Sequence, residues 1–292
     1  MLYKTASLSL QGDRKYNQDR LAVVTTPESV LLILADGMGG RSGGALASQM
    51  MVDVASELLH NELRPIVQTR QFFLEAINTA HMAMINLTIE KGLDHIPGTT
   101  CVMALIQQDR ICWAHAGDSR LYFIRQGDLL TRTRDHSYVE YLMHKQQLDE
   151  ASARIHPERN RITRCVGYRR EMPQIEFSDT LLLAQGDELL LATDGFWGTL
   201  SDAAICQQLQ QGVDLQLSLD LLAETAQMQC RPNCDNLSAI LMRIDAVAPI
   251  PAVREEKLKG SQLRNSDVRT ALDNIYAVIK TYEKEIKDRP KS

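Results

Sequence analysis

The sequence lacks any long hydrophobic run, since its longest apolar segments, residues 30–35 and 101–106, contain six residues each. A membrane-spanning helix needs about 20 such residues, so we expect no transmembrane segment. Residues 1–13 also lack the apolar stretch behind a basic start that marks a secretory signal peptide. We therefore expect a cytoplasmic protein that makes no use of a membrane.

An excess of positive charge is also missing. The 32 Lys and Arg residues are outnumbered by 37 Asp and Glu, which gives a net charge of −5. Proteins with a general affinity for nucleic acid neutralise phosphates with clustered basic side chains, so we expect no nucleic-acid partner. With 292 residues, 44% of them apolar, the composition is typical of a globular protein and excludes disordered and collagen-like chains.

Cysteine is scarce and scattered through apolar or helical stretches. Because no secretory signal is present, we interpret the cysteines as buried thiols. Cys230 and Cys234 are the only two that lie close together in the sequence. Because no His or further Cys stands near them at the spacing of zinc ligands, we assign both to packing. The six residues are Cys101, Cys112, Cys165, Cys206, Cys230 and Cys234.

Short segments rich in Val, Ile and Leu, bounded by Gly, Asp or Asn, predict β-strands. They cover residues 30–35, 99–106, 111–116, 120–124, 181–183, 188–192 and 237–244. Apolar residues spaced three and four apart predict helices at residues 45–60, 72–89, 138–146 and 215–228. Turns at Asp109 and at Gly127-Asp128 indicate antiparallel hairpins, and the helices come in pairs. This pattern favours an α+β architecture with sheets inside and helices outside.

The composition changes near residue 245. Prolines and charged residues follow a body at residues 1–244 and predict a linker at residues 245–265. Six apolar residues on one stripe then predict an amphipathic C-terminal helix at residues 266–288. The stripe could dock on the body, pair with a second copy of the chain, or bind a partner. Its residues are Val268, Leu272, Ile275, Ile279, Tyr282 and Ile286.

Aspartates stand at the junctions of the predicted strands. Asp36 and Asp194 each end an apolar strand and precede Gly, and three more, Asp19, Asp118 and Asp235, lie beside Gly or Asn at other junctions. If the five converge, their mutual repulsion would raise their pKa values and destabilise the fold unless divalent cations neutralised them. Carboxylate oxygens select Mg²⁺ or Mn²⁺ over Zn²⁺. The sequence therefore predicts a binuclear metal site.

Eight short motifs together carry a resemblance that none carries alone. They are Arg14-Lys-Tyr-Asn-Gln-Asp19, Asp36-Gly-Met-Gly-Gly40, Gly98-Thr-Thr100, Gly117-Asp-Ser-Arg120, Asp135-His-Ser137, Ile162-Thr-Arg-Cys-Val-Gly167, Thr193-Asp-Gly195 and Asp235-Asn-Leu-Ser238. In this order and spacing the chain resembles the metal-dependent protein phosphatase family of type 2C, in its bacterial form, over residues 1–244. The resemblance implies a four-layer α-β-β-α sandwich of two antiparallel sheets flanked by helix pairs, with the metals in a cleft at one edge.

The resemblance also implies a role for each matching residue. Asp36 would bridge two metal ions, the Gly37 carbonyl would ligate one of them, and Asp194 and Asp235 would hold the other. Asp118 matches a position that contributes to a third, weaker metal site in bacterial relatives.

Arg14 would grip the substrate phosphate, and Asp19 would support the metal waters. The implied activity is Mg²⁺- or Mn²⁺-dependent hydrolysis of phosphoserine and phosphothreonine in a phosphorylated protein. A metal-activated water would attack phosphorus in line, without a covalent enzyme intermediate.

Two residues depart from the best-studied eukaryotic members of the family. Met38 replaces a histidine proposed there as general acid, and Gln18 replaces a glutamate near the second metal. A metal water could supply the proton, and His136 and His156 are the alternative donors in motif terms, although hydrogen bonding within a loop or helix start is the simpler role for both. The polar segment 149–161 resembles the variable flap that helps to choose substrates in relatives.

Two other functions compete with this interpretation. Gly40-Arg-Ser42-Gly-Gly44 fits the GxSxG elbow of serine hydrolases. Against it, the predicted strand ends at Ala35, so Ser42 lies several residues into the bend and not at its tip. The hydrolase order also places Asp and then His after the serine, and the last histidine here is His156, with 136 residues still to come. The second is a catalytically silent phosphatase-like module that binds a phosphoprotein or acts as a scaffold. Against it, no metal carboxylate is missing.

Overall fold

The computed structural model describes residues 1–39, 43–62 and 65–247. Within them the chain forms thirteen strands and seven helices. The strands are β1 (Leu2–Leu10), β2 (Asp19–Thr25), β3 (Ser29–Met38), β4 (Gly98–Thr99), β5 (Cys101–Gln107), β6 (Arg110–Ala116), β7 (Arg120–Arg125), β8 (Asp128–Arg132), β9 (Val166–Gly167), β10 (Glu176–Phe177), β11 (Leu181–Leu182), β12 (Glu188–Ala192) and β13 (Leu237–Ala246). The helices are α1 (Gly43–Asn61), α2 (Thr69–Lys91), α3 (Tyr138–His144), α4 (Glu150–Ile155), α5 (Asp194–Trp197), α6 (Asp202–Leu209) and α7 (Leu215–Cys230).

The strands form two antiparallel sheets. One sheet has the order β1-β13-β12-β7-β8. The other has the order β10-β6-β5-β3-β4-β9, with β2 paired to β3 and β11 paired to β6. The predicted hairpins are present as β5-β6 and β7-β8.

Strand β3 is buried on both faces, which explains its uninterrupted apolar sequence. Leu32 and Leu34 face the second sheet, where they join Leu189 and Leu191 of β12 in one hydrophobic cluster. Helix α1 covers the opposite face of β3, and α2 packs on α1. On the far side, α6 and α7 share a second cluster with the outer face of the five-stranded sheet. The layers therefore run α-β-β-α, which confirms the α+β sandwich.

Several elements were not predicted. The edge strand β1 is mostly exposed and polar, although Ala6, Leu8 and Leu10 alternate toward the core. Helix α4 lies inside the polar segment 149–161, for which we predicted no helix, and α3 ends at His144, two residues before the predicted end. In the described part of the chain, no helix combines the length and apolar character that crossing a bilayer requires. Beyond residue 247, the predicted linker and the helix at 266–288 lie outside the described residues.

The interpretation of all six cysteines as buried thiols is wrong. Cys230 and Cys234 form a disulfide at the end of α7. Helix α7 stops at Cys230, and the following turn brings Cys234 back to it, with Cα atoms 4.9 Å apart. Of the free cysteines, Cys165 is half-buried.

Candidate metal centre

Asp36 is fixed at the end of β3 by backbone hydrogen bonds. Its N–H donates to Thr100 Oγ1 at 2.9 Å, and its carbonyl accepts the Thr100 N–H at 2.8 Å. Gly37 follows in such close contact with α1 that a Cβ there would lie 2.1 Å from the Gly44 carbonyl oxygen. Only glycine allows the two backbones to come this close. The contact keeps Asp36, the preceding residue, beside the start of α1.

Asp19 lies beside Asp36. The two residues are register partners on the neighbouring antiparallel strands β2 and β3, so their side chains share one face of the sheet. Thr193 Oγ1 donates to Asp19 Oδ2 at 3.1 Å, which joins Asp19 to the second sheet.

Asp194 and Asp235 come from that second sheet. Asp194 follows β12 and begins α5, while Asp235 precedes β13. A Cβ on Gly195 would lie 2.1 Å from the Asn236 carbonyl oxygen, so these two segments pack backbone to backbone. The Asn236 amide donates to the carbonyls of Gln11 and Tyr16, which brings the loop before β2 to the same place.

Asp118 occupies the turn between β6 and β7, where the chain crosses from one sheet to the other. Gly117 has a φ of +120°, and a Cβ there would lie 2.6 Å from Thr100 Cβ, so glycine is required. Trp197 Nε1 donates to the Asp118 carbonyl at 3.1 Å, which links this turn to α5.

The carboxyl groups of these residues lie close enough to act on one another, and we call them the aspartate cluster. Burial raises the pKa of Asp36 well above its usual range, and the charges of the other four members raise it further. Burial also raises the pKa of Asp194 to about 7 and that of Asp19 to about 6. Burial, and then the charge of Asp194, raises the pKa of Asp118 well above its usual range. The members are Asp19, Asp36, Asp118, Asp194 and Asp235.

The cluster contains buried oxygens without a donor. Asp19 Oδ1, Asp118 Oδ1 and Asp194 Oδ1 have no hydrogen-bond partner in the described structure. Leaving a buried oxygen without a hydrogen bond costs about 1–3 kcal/mol, and the cost is larger when the oxygen is charged. A divalent cation offers what these oxygens lack, and a set made only of carboxylates suits Mg²⁺ or Mn²⁺. The residues present therefore fit the predicted metal group.

Arg14 lies at the rim of the cluster. Its Nη2 donates to Asp235 Oδ2 at 2.5 Å, while 59% of the side chain remains exposed. This hydrogen bond raises the pKa of Arg14. Burial lowers it by a smaller amount, so Arg14 stays charged. Gln18, which stands where eukaryotic members have a glutamate, donates its amide to the Gly39 carbonyl and so supports the glycine bend.

The two histidines considered as proton donors have other contacts. His156 Nδ1 accepts the Glu158 N–H within its own loop. His136 is buried, and its burial, followed by the charge of His115, lowers its pKa to about 4. At neutral pH His136 is therefore uncharged. Ser42 of the rival hydrolase motif lies outside the described residues.

Thr100, Asn236 and Trp197 support the cluster but were not singled out as functional residues. Thr100 and Asn236 do stand in the motifs Gly98-Thr-Thr100 and Asp235-Asn, so a signal for them exists. Trp197 has none, because a hydrogen bond to a distant carbonyl leaves no pattern in the sequence.

Residues 9–232 match the sequence model of a family described as Protein phosphatase 2C. The chain belongs to this family. It is thus a metal-dependent phosphoprotein phosphatase, and members of its family use divalent metal ions.

Curated relatives and solved structures agree with this assignment. A putative protein phosphatase 2C-type from Streptococcus pyogenes is 30% identical over 241 residues, which cover 80% of this phosphatase and 96% of the relative. The serine/threonine phosphatase PstP/Ppp of Mycobacterium tuberculosis has a TM-score of 0.74 at 27% identity, over 84% of this chain and 100% of that one. A catalytic domain of PstP, solved in complex with two manganese ions, has a TM-score of 0.71 at 26% identity, over 83% and 99% of the two chains.

Proposed function

We propose that this phosphatase hydrolyses phosphoserine and phosphothreonine in proteins with two divalent cations, Mg²⁺ or Mn²⁺, held by the aspartate cluster. The observation that carries the proposal is the burial of mutually repelling carboxylates, three of which have an oxygen without a hydrogen-bond donor. Such an arrangement is stable only when cations or protons neutralise it.

Asp36, Asp194, Asp235 and the Gly37 carbonyl would hold the two ions, and Asp19 would support them from the neighbouring strand. Asp118 would contribute to a third, weaker site. When bound, the pair of ions would lower the pKa of a water molecule, which could then lose a proton near neutral pH and attack phosphorus.

The protein's own contribution is to place the phosphate. Arg14 is oriented toward the cluster by its bond to Asp235, yet only its Nη2 takes part in that bond. The remaining N–H groups of the guanidinium can therefore bind two phosphate oxygens at once. Their charge offsets the negative charge that develops on the phosphoryl oxygens during transfer.

The test is hydrolysis of para-nitrophenyl phosphate and of a phosphothreonine peptide with Mn²⁺, with and without EDTA. We expect turnover that EDTA abolishes, and loss of more than about 1,000-fold in Asp36→Asn, which would remove the charge of one of the carboxylates that would hold the ions. Asp220→Asn, on the exposed face of α7, is the matched control and should retain wild-type turnover. Absence of turnover with every divalent metal would favour the silent phosphatase-like module instead.

A further inference from the structure

Two loops are held together beside the aspartate cluster. Residues 133–137, which precede α3, lie along the turn that carries Asp118. Thr133 exchanges two hydrogen bonds with Leu121, from its N–H to the Leu121 carbonyl and from the Leu121 N–H to its Oγ1. Asp135 binds Arg120 through both carboxylate oxygens, at 2.8 and 2.7 Å. The Asp118 turn is therefore positioned by the loop before α3.

Within this loop, His136 contacts Gly117, the residue that precedes Asp118. Its backbone N–H donates to the Gly117 carbonyl at 2.9 Å, and its ring Nδ1 accepts the Gly117 N–H at 3.2 Å. Both polar groups of the Gly117 backbone thus end on one residue. Because the Gly117 φ is +120°, the ring bond fixes a backbone conformation that leads directly into Asp118.

The contacts of the ring determine its tautomer. An acceptor at Nδ1 places the proton of the neutral ring on Nε2, which lies 3.3 Å from Glu176 Oε2. Arg164 Nη1 also lies 3.3 Å from Nε2, but it is itself a donor and therefore makes no hydrogen bond to the protonated nitrogen. The His115 ring stacks on the His136 ring with centroids 4.4 Å apart, and His115 Nε2 bonds the Arg134 carbonyl at 2.8 Å.

His115, His136 and Glu176 also bring ligand atoms within 4.8 Å of one another, as a metal site would. The ring geometry argues against a metal there. The two imidazole planes are 12° from parallel, so their in-plane lone pairs cannot point at one ion. In addition, Arg164 Nη1 lies 3.3 Å from His136 Nε2, and its charge would repel a cation.

We propose that His136 is a positioning residue that holds Asp118 in place through Nδ1 and the Gly117 N–H, and so sets the affinity of the Asp118 cation site. The proposal rests on the proposed function, in which Asp118 contributes to the third, weaker site. Asn and Gln distinguish the two ring nitrogens, because the amide of Asn reaches the position of Nδ1 while that of Gln reaches the position of Nε2.

The experiment compares His136→Asn with His136→Gln in the full chain. Isothermal titration calorimetry with Mn²⁺ measures the dissociation constant of the weakest cation site. Hydrogen exchange measures how strongly the Gly117 amide is protected from solvent. We expect His136→Gln to weaken that site about tenfold and to speed exchange, the loss expected for one buried hydrogen bond. His136→Asn should stay within about threefold of wild type in both measurements. In an Asp118→Asn background, His136→Gln should have no further effect on Mn²⁺ binding.

A surface variant keeps the proposal falsifiable if a change at His136 prevents folding. Glu176 is 49% exposed, so Glu176→Lys should fold. The change removes the carboxylate that accepts the Nε2 proton and adds a second cation to that of Arg164, which together favour the tautomer with its proton on Nδ1 and so disrupt the Gly117 bond. We expect the same faster exchange, with Glu171→Lys, an exposed position in the same segment, as the charge control. Equal effects of Asn and Gln at position 136, or unchanged Gly117 exchange in Glu176→Lys, would overturn the proposal. Failure of the proposed function would look different, with no Mn²⁺-dependent hydrolysis in the wild type.

Discussion

Removing one charge from the aspartate cluster should strengthen the metal-free fold while it ends catalysis. The informative variant is Asp194→Asn, since the amide has nearly the same shape as the carboxylate. In the absence of metal, it should unfold at a higher temperature than the wild type at pH 8. A residue that only stabilised the fold would give the opposite result.

The magnitude follows from the pKa of Asp194. Burial, followed by the charges of Asp235 and Asp19, raises that pKa from its usual 3.8 to about 7. Between these values the native protein binds a proton that the unfolded chain releases, so the free energy of unfolding falls as pH rises from about 4 to 7. The cost at pH 8 is on the order of 4 kcal/mol, at ~1.36 kcal/mol per pKa unit. The amide oxygen of Asn can still accept the Gly195 N–H, but as a neutral acceptor it makes a weaker bond, which reduces the gain of the Asn variant to about 2–4 kcal/mol.

The assay is urea denaturation of EDTA-treated protein at pH 5 and pH 8, with Asp220→Asn as control. The gain at pH 5 should be less than half of that at pH 8, because most of the charge is then already absent from the native state. Mn²⁺ at 100 times its dissociation constant should add about 2.7 kcal/mol to the wild type and much less to Asp194→Asn. An Asn variant less stable than the wild type at pH 8, or a gain independent of pH, would refute the reasoning.

Two further predictions concern the neighbourhood of the cluster. Arg14→Ala should raise KM for a phosphorylated substrate about tenfold with a smaller loss in kcat, because it removes a charge-assisted contact to the phosphate; an unchanged KM in steady-state kinetics would contradict that role. Replacing Cys230 and Cys234 by Ser should lower the free energy of unfolding by about 2 kcal/mol, since the disulfide closes a loop of only five residues, 230–234. Urea denaturation under oxidising conditions measures this difference, and equal stability would show that the two thiols are not joined.

The buried strands were the part of the fold that the sequence could predict. A strand covered on both faces needs apolar residues along most of its length, and the central residues of β3, β5 and β12 show this directly. The edge strand β1 and the short helices α5 and α6 carry few buried residues, so their periodic signal is weak, and α4 contains only six residues. Where these elements begin and end is therefore decided by contacts with residues far away in the sequence, which a short stretch of sequence does not show.

The site was predictable to the extent that its chemistry is local. Asp-Gly at a strand end marks Asp36 and Asp194, because backbone contact at Gly37 and Gly195 leaves no room for a side chain. The disulfide could not be predicted, since a separation of four residues is also typical of two cysteines on one helix face. The role of His136 depends on the hydrogen bond of its ring to Gly117, 19 residues earlier in the chain. Both residues stand in the phosphatase motifs, but the sequence does not show that these two motifs are in contact.

The aspartate cluster is assembled from both sheets, so the packing between the sheets holds the carboxylates together against their repulsion. Asp19 and Asp36 come from one sheet, Asp194 and Asp235 from the other, and Asp118 from the turn that joins them. Protons and cations relieve the same repulsion, and they therefore compete for these carboxylates. Saturating Mn²⁺ should then flatten the pH dependence of wild-type stability between pH 5 and pH 8, because the loaded native state no longer takes up protons. A slope that persisted under saturating metal would place the titrating groups outside the cluster.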